Sequence, residues 1–227
     1  MKRVLLVSLI VIAANAFGQQ GEIYGWDHHK WGLSVKAGPA FPNGDFADLF
    51  GTGYTGFVEV PYNFARGFKV YIAAGLSHFK VDNDKLANTL KSEGQTLTTN
   101  VDAPYWLFPV VLGINVSYQY AHIWPYFTFS AGMYFQKLET SGSYVSNGVT
   151  TTLTPKTENW NQGAYAVGVG TFIPFGDEGW AVDVNAKFNS VVDYEGKVII
   201  QPPSGNSVTT RAIKFVSVLA GLSYTFH

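Results

Sequence analysis

From Phe215 to Phe226 the chain alternates two kinds of side chain. Val216, Val218, Ala220, Leu222, Tyr224 and Phe226 are apolar and close on aromatics. Phe215, Ser217, Leu219, Gly221, Ser223 and Thr225 are mostly small or hydroxylated. Successive side chains of a strand point to opposite faces, so the segment has one greasy face and one polar one. The same alternation recurs along most of the chain, with aromatics at the segment ends. That combination is what a closed β-barrel in lipid requires.

Composition agrees. Only 14% of the 227 residues are charged, against about 25% in ordinary soluble domains, while aromatics reach 16%. Met1-Lys2-Arg3, the apolar run Val4 to Ala14 and Ala14-Asn15-Ala16 have the layout of a secretory signal peptide. The expectation is a signal over residues 1–18, cleaved after Ala16 or Gly18, and a barrel over 19–227. The leader's run is shorter than the roughly 20 apolar residues of a membrane helix. Losing Lys2 and Arg3 takes the basic count from 15 to 13 against 16 acidic residues. A net charge of that sign argues against a nucleic-acid partner. The chain has no cysteine, which rules out disulfides and thiolate metal sites.

Eight strand segments follow: about 31–40, 54–63, 68–80, 103–117, 124–137, 161–173, 180–192 and the C-terminal one. Short turns (64–67, 118–123 and 175–179) alternate with long connections (41–53, 81–102, 138–159 and 193–211). All long connections therefore share one end, the asymmetry of outer-membrane barrels. The spacing leaves no room for the crossover helices of a parallel sheet. Ten strands is the alternative count, if the long connections add wall strands.

Facing assignments follow from the parity. An ionised Lys or Arg facing midplane hydrocarbon costs roughly 2–4 kcal/mol, so Lys36, Glu59, Lys69, Asp183 and Lys187 belong inside, with Asn185. Two aromatic girdles are expected. Trp31, Phe64, Phe68, Trp124, Phe175, Trp180 and Phe226 mark the short-turn end. Phe41, Tyr54, Tyr105, Trp106, Phe135 and Trp160 mark the loop end.

The stretches WGLSVKAGPAFPNGDF (31–46), GFKVYIAAGLSHF (67–79) and AGLSYTFH (220–227) resemble the small outer-membrane β-barrels of Gram-negative bacteria, the OmpA/OmpX-like class of porin-family barrels. The resemblance spans the mature chain as a pattern. It implies residence in the outer-membrane lipid. It also implies insertion by the barrel-assembly machinery, which reads a C-terminal aromatic signal, here Leu222, Tyr224 and Phe226. His227 follows Phe226, a departure from the class, whose last residue is usually the aromatic.

The lumen set Lys36, Glu59, Lys69, Asp183, Asn185 and Lys187 reads as structural filling, because eight strands enclose a space that side chains fill. The competing reading is a narrow solute or ion pore. Asp27-His28-His29 and Asp82-Asn83-Asp84 lack metal-binding spacing, and Asp84 reads as the N-cap of a short helix through Leu86 and Leu90. Ser77 and His78 are neighbours on opposite faces of one strand and cannot form a dyad. An outer-leaflet lipid-modifying enzyme is therefore the third reading, and no cofactor is assigned. Asn147-Gly148 sits between β-forming runs, a strong hairpin signal, and Gly205-Asn206 lies in a similar setting. Both read as hairpins continuing beyond the bilayer, able to meet an extracellular protein or ligand. The expected function is non-catalytic: envelope structure, surface binding through these hairpins, or both.

Overall fold

The computed structural model describes residues 30–91, 97–120, 122–146, 149–176, 179–192, 198–200, 208–209 and 212–226. The expected signal segment, Asn147-Gly148, Gly205-Asn206 and His227 lie outside them. In chain order the elements are β1 (Lys30–Asn43), β2 (Gly53–Ala65), β3 (Phe68–Phe79), α1 (Asn83–Lys91), β4 (Leu97–Asp102), β5 (Tyr105–Ser117), β6 (Trp124–Ser146), β7 (Val149–Phe175), β8 (Trp180–Val191), β9 (Val198–Ile200), β10 (Val208–Thr209) and β11 (Lys214–Thr225).

Eight strands close a ring in the order β1, β2, β3, β5, β6, β7, β8, β11, and β11 returns to β1. Every pairing is antiparallel. The ring count is eight rather than ten, since β9 and β10 form a separate two-stranded sheet. Stepping across paired residues once round the ring leads from Ala40 through Ser217, Lys187, Gly168, Thr128, Asn115, Lys69 and Asn63 to Lys30. The path returns to β1 ten residues lower. That stagger tilts eight strands by roughly 40° to the barrel axis.

The outer wall carries the apolar parity. Leu33, Val35, Val58, Ile72, Leu112, Phe127, Val169 and Leu222 are all exposed, whereas Lys36, Glu59, Lys69, Asp183 and Lys187 are buried. A soluble barrel would show the reverse. Trp31 and Phe41 point outward on β1, ten residues apart. With about 3.3 Å per residue and roughly 40° of tilt they stand about 25 Å apart along the axis, the height of a transmembrane barrel's apolar band. No helix of the described residues is long and apolar enough to cross a membrane; the crossing is made by strands.

The girdles differ from expectation at three residues. Trp124, Tyr105 and Trp160 sit on the inward parity. Trp124 is buried with Tyr126, Phe172 and Ala181, closing the lumen at the short-turn end. Tyr105 and Trp160 pack together at the loop end, ring centroids 5.9 Å apart. Their proximity to a strand end suggests an interfacial role, but the direction of the pleat decides the face.

Two long connections are built of regular structure, of which only β4 goes beyond the sequence expectation. The stretch 138–159 is not a loop: the β6–β7 ladder runs unbroken in direction from Trp124↔Phe172 to Ser146↔Val149, with one bulge between Thr140 and Gly142. The stretch 81–102 supplies α1 and β4, and β4 pairs with the far part of β6, Leu97↔Ser146 to Asp102↔Ser141. The result is a three-stranded tower standing on the ring. The helix cap is Asp82, not Asp84. Its Oδ1 accepts the backbone N–H of Asp84 at 3.1 Å and of Lys85 at 3.3 Å. The helix begins at Asn83, so only the residue before it can reach the second and third free amides. Asp84 instead lies in the first turn, where the helix dipole favours a carboxylate.

Candidate functional site: a sealed ionic lumen and a surface tower

The inward parity of β1, β2 and β8 delivers five of the six expected lumen residues to one network. Lys36 Nζ donates to Glu59 Oε2 at 2.7 Å and to Asp183 Oδ2 at 2.9 Å. Lys187 Nζ donates to Glu59 Oε1 at 3.2 Å. Asn185 Nδ2 reaches Asp183 Oδ1 at 3.4 Å, a long bond. Lys69 takes a different environment, with its Nζ 3.7 Å from the centroid of Phe172, a cation–π position. Charges this deeply buried persist only when paired and hydrogen-bonded, and the alternating pattern of three strands is what brings their partners together.

Sequence reasoning left the tyrosines out of the lumen network, although Tyr71 falls on the inward face of its strand with Lys69. Tyr126 Oη donates to Asp183 Oδ1 at 2.6 Å, Tyr71 Oη bonds Thr128 Oγ1 at 2.9 Å, and Tyr134 Oη donates to Asn189 Oδ1 at 3.1 Å. Parity finds all three, because Tyr126, Thr128, Ser130, Tyr134 and Gln136 alternate on one face of β6 and Tyr71 shares the Lys69 face of β3. Two of these rings lie over glycines paired with them across strands, Tyr71 over Gly113 and Tyr126 over Gly170. A side chain at either glycine would occupy the ring's space.

Toward the loops the lumen becomes apolar. The turn after β1 tucks Phe46 and Phe50 into the mouth against Phe79 and Tyr105. Phe79 meets Phe215 across the barrel, centroids 5.2 Å apart. Leu86 of α1 joins this cluster. Lys85 Nζ fastens the helix to the plug, donating to the carbonyls of Ala47 at 2.9 Å and Phe50 at 3.1 Å. The lumen is thus filled in three tiers: aromatic at the short-turn end, ionic in the middle, apolar at the mouth.

Among the described residues, the serine and histidine weighed for the enzyme reading are not brought together. Ser77 Oγ faces inward and shares a hydrogen bond with Thr55 Oγ1 at 2.6 Å. His78 lies on the outer parity between Tyr54 and Trp106. No group of three or more His, Asp or Glu arranged to hold a metal occurs among the described residues.

The tower is braced. The amide of Asn83 bonds the backbone of Val101 twice, accepting its N–H at 3.0 Å and donating to its carbonyl at 3.2 Å. This occupies the edge of β4 as a neighbouring strand would. On β7 the bulge carries Pro155, followed by Lys156, whose Nζ pairs with Glu158 at 2.5 Å. Proline, charge and bulges are devices that blunt a strand edge. At the other end of the barrel, Leu222 and Phe226 are exposed on the outer wall and Tyr224 packs on Trp180, centroids 4.7 Å apart.

No protein-family model and no curated protein sequence matches the chain. Among solved structures it is similar to Neisserial surface protein A, with 10% identity and a TM-score of 0.47 over 86% of this chain and 97% of that one. It is similar to Ail, the attachment invasion locus protein of Yersinia pestis, with 12% identity and a TM-score of 0.47 over 88% of this chain and 100% of that one. A major outer membrane protein of Thermus thermophilus gives 15% identity and a TM-score of 0.48 over 87% of this chain and 100% of that one. With a closed ring of eight antiparallel strands, grease outward and ions sealed within, the chain has the architecture of a small outer-membrane β-barrel similar to the OmpA/OmpX-like class.

Proposed function

We propose that this protein is a non-catalytic outer-membrane scaffold that displays the β4–β6–β7 tower to a partner outside the cell. The observation that carries this reading is the continuation of the β6–β7 ladder from Phe135↔Asn161, at the loop-end girdle, to Ser146↔Val149. Eleven residues at about 3.3 Å each put roughly 35 Å of paired strand beyond the wall. A connection that only closed the barrel would need a few residues. Guarded edges at Val101 and Pro155 turn the partner toward the faces and tip, where Thr150, Thr152, Thr154 and Thr157 are exposed. Such a surface suits a polar, hydrogen-bonding partner. During biogenesis the outward row Leu222, Tyr224 and Phe226 serves as the signal for the barrel-assembly machinery.

The test is a pull-down from extracellular material with the intact barrel in lipid vesicles against a barrel lacking residues 140–155. Loss of specific partners on removing the tower is the expected result. Identical partners for both would end the surface-binding reading.

A further inference from the structure

A second surface lies on the outer wall at the loop-end girdle, at the foot of the tower. Cross-strand pairing lines up Tyr54, His78, Trp106 and Lys137 in one row over β2, β3, β5 and β6. His78 stands 5.0 Å from Tyr54 and 4.1 Å from Trp106, centroid to centroid. The two larger rings cover it so well that it is only 6% exposed despite its outward parity. The three rings form a stiff aromatic tray. Lys80, two residues past His78, is exposed; its carbonyl accepts from the Gly51 N–H at 3.0 Å, while its ammonium has no ion-pair or hydrogen-bond partner among the described residues. Lys137, directly opposite Trp106, is paired with Glu139. Asp102 is a further exposed carboxylate near His78.

The row shares the girdle of Phe41 and Phe135, the level where a membrane presents its headgroups. Two lysines flanking an aromatic tray there meet phosphate from the lipid side, with acyl chains lying down the apolar wall below. The Lys137–Glu139 pair is solvent-exposed and so only weakly held, which leaves Lys137 able to turn to a phosphate dianion. We propose that Lys80 and Lys137, flanking the Tyr54–His78–Trp106 tray, bind the phosphorylated headgroup of an outer-leaflet lipid. A fixed lipid at this face would set the tilt and rotation of the barrel in its membrane.

The full chain in phosphatidylcholine nanodiscs, doped with lipid A or with its dephosphorylated form, reports the site by native mass spectrometry of retained lipid. Wild type retains lipid A preferentially. Lys80→Gln/Lys137→Gln lowers that retention about twenty-five-fold, at roughly fivefold per lysine close to an anionic surface. Glu139→Gln raises it by freeing Lys137. Lys214→Gln changes another outward, exposed lysine at the loop end and leaves retention unaltered. Far-ultraviolet circular dichroism verifies that each variant is folded. Equal retention by the double variant and wild type overturns the proposal, as does an equal loss from Lys214→Gln, the mark of nonspecific charge. Displacement of lipid A by millimolar inorganic phosphate assigns the site to a free ion and overturns the lipid.

Discussion

Lys36 and Asp183, 147 residues apart in sequence, meet inside the barrel with Nζ 2.9 Å from Oδ2. They stand on β1 and β8, strands separated in the ring by β11. The contact therefore reaches past β11 inside the lumen and exists only once the ring has closed. Asp183 also accepts from Tyr126 on β6, so one carboxylate ties together three strands that do not all neighbour one another.

Asp183→Asn removes the charge that compensates Lys36 and weakens the bond from Tyr126. Breaking one partner of a buried ion pair costs about 3–5 kcal/mol. Asn185→Ala loses only a long bond and costs about 1 kcal/mol. Denaturant unfolding from lipid vesicles measures both, and similar losses for the two variants would show that the ionic tier contributes little.

Gly113→Ala places a methyl group where the Tyr71 ring lies. Tyr71 cannot swing aside without breaking its bond to Thr128, so overpacking destabilises the barrel by about 1–3 kcal/mol. Gly113→Ala/Tyr71→Leu recovers most of the loss, because the shorter side chain vacates the space. A double variant no better than the single one would exclude ring crowding as the cause.

Asn83→Ala strips the edge of β4 of its substitute partner at Val101. Amide hydrogen exchange at Val101 accelerates by about tenfold, the worth of roughly one hydrogen bond. Exchange in the girdle-to-girdle part of β1 stays unchanged. Equal exchange at Val101 in variant and wild type would mean that the tower holds itself without α1.

Planar bilayers containing the protein show no discrete openings, since three filled tiers close the lumen and open aqueous channels belong to much larger rings, of about 16 strands or more. Phe46→Ala/Phe50→Ala also stays silent, because the ionic tier below is intact. Single-channel events from wild type would replace the scaffold reading with a pore.

How much is legible in the sequence depends on the kind of contact. On β2 the order Tyr54, Val58, Val60 outward against Thr55, Phe57 and Glu59 inward is a property of the pleat and needs no partner to be known. Lys36, Glu59, Lys69, Asp183 and Lys187 fall to the interior in the same way. Trp124 and Tyr105 depart from the girdles because nearness to a strand end counts for less than parity, which points both inward. β4 is illegible, as its stability comes from the far half of β6 and from Asn83, neither of which leaves a periodic mark.

The sequence by itself determined the alternation, and the alternation determined which side of the wall each residue occupies, because a strand of period two has only two faces. Tertiary structure alone decided which inward residues touch: that Lys36 holds Glu59 and Asp183 while Lys69 rests on Phe172. The physical reason is the stagger of the closed ring, ten residues in one circuit, which sets the relative heights of distant strands and is written in no single stretch of the chain.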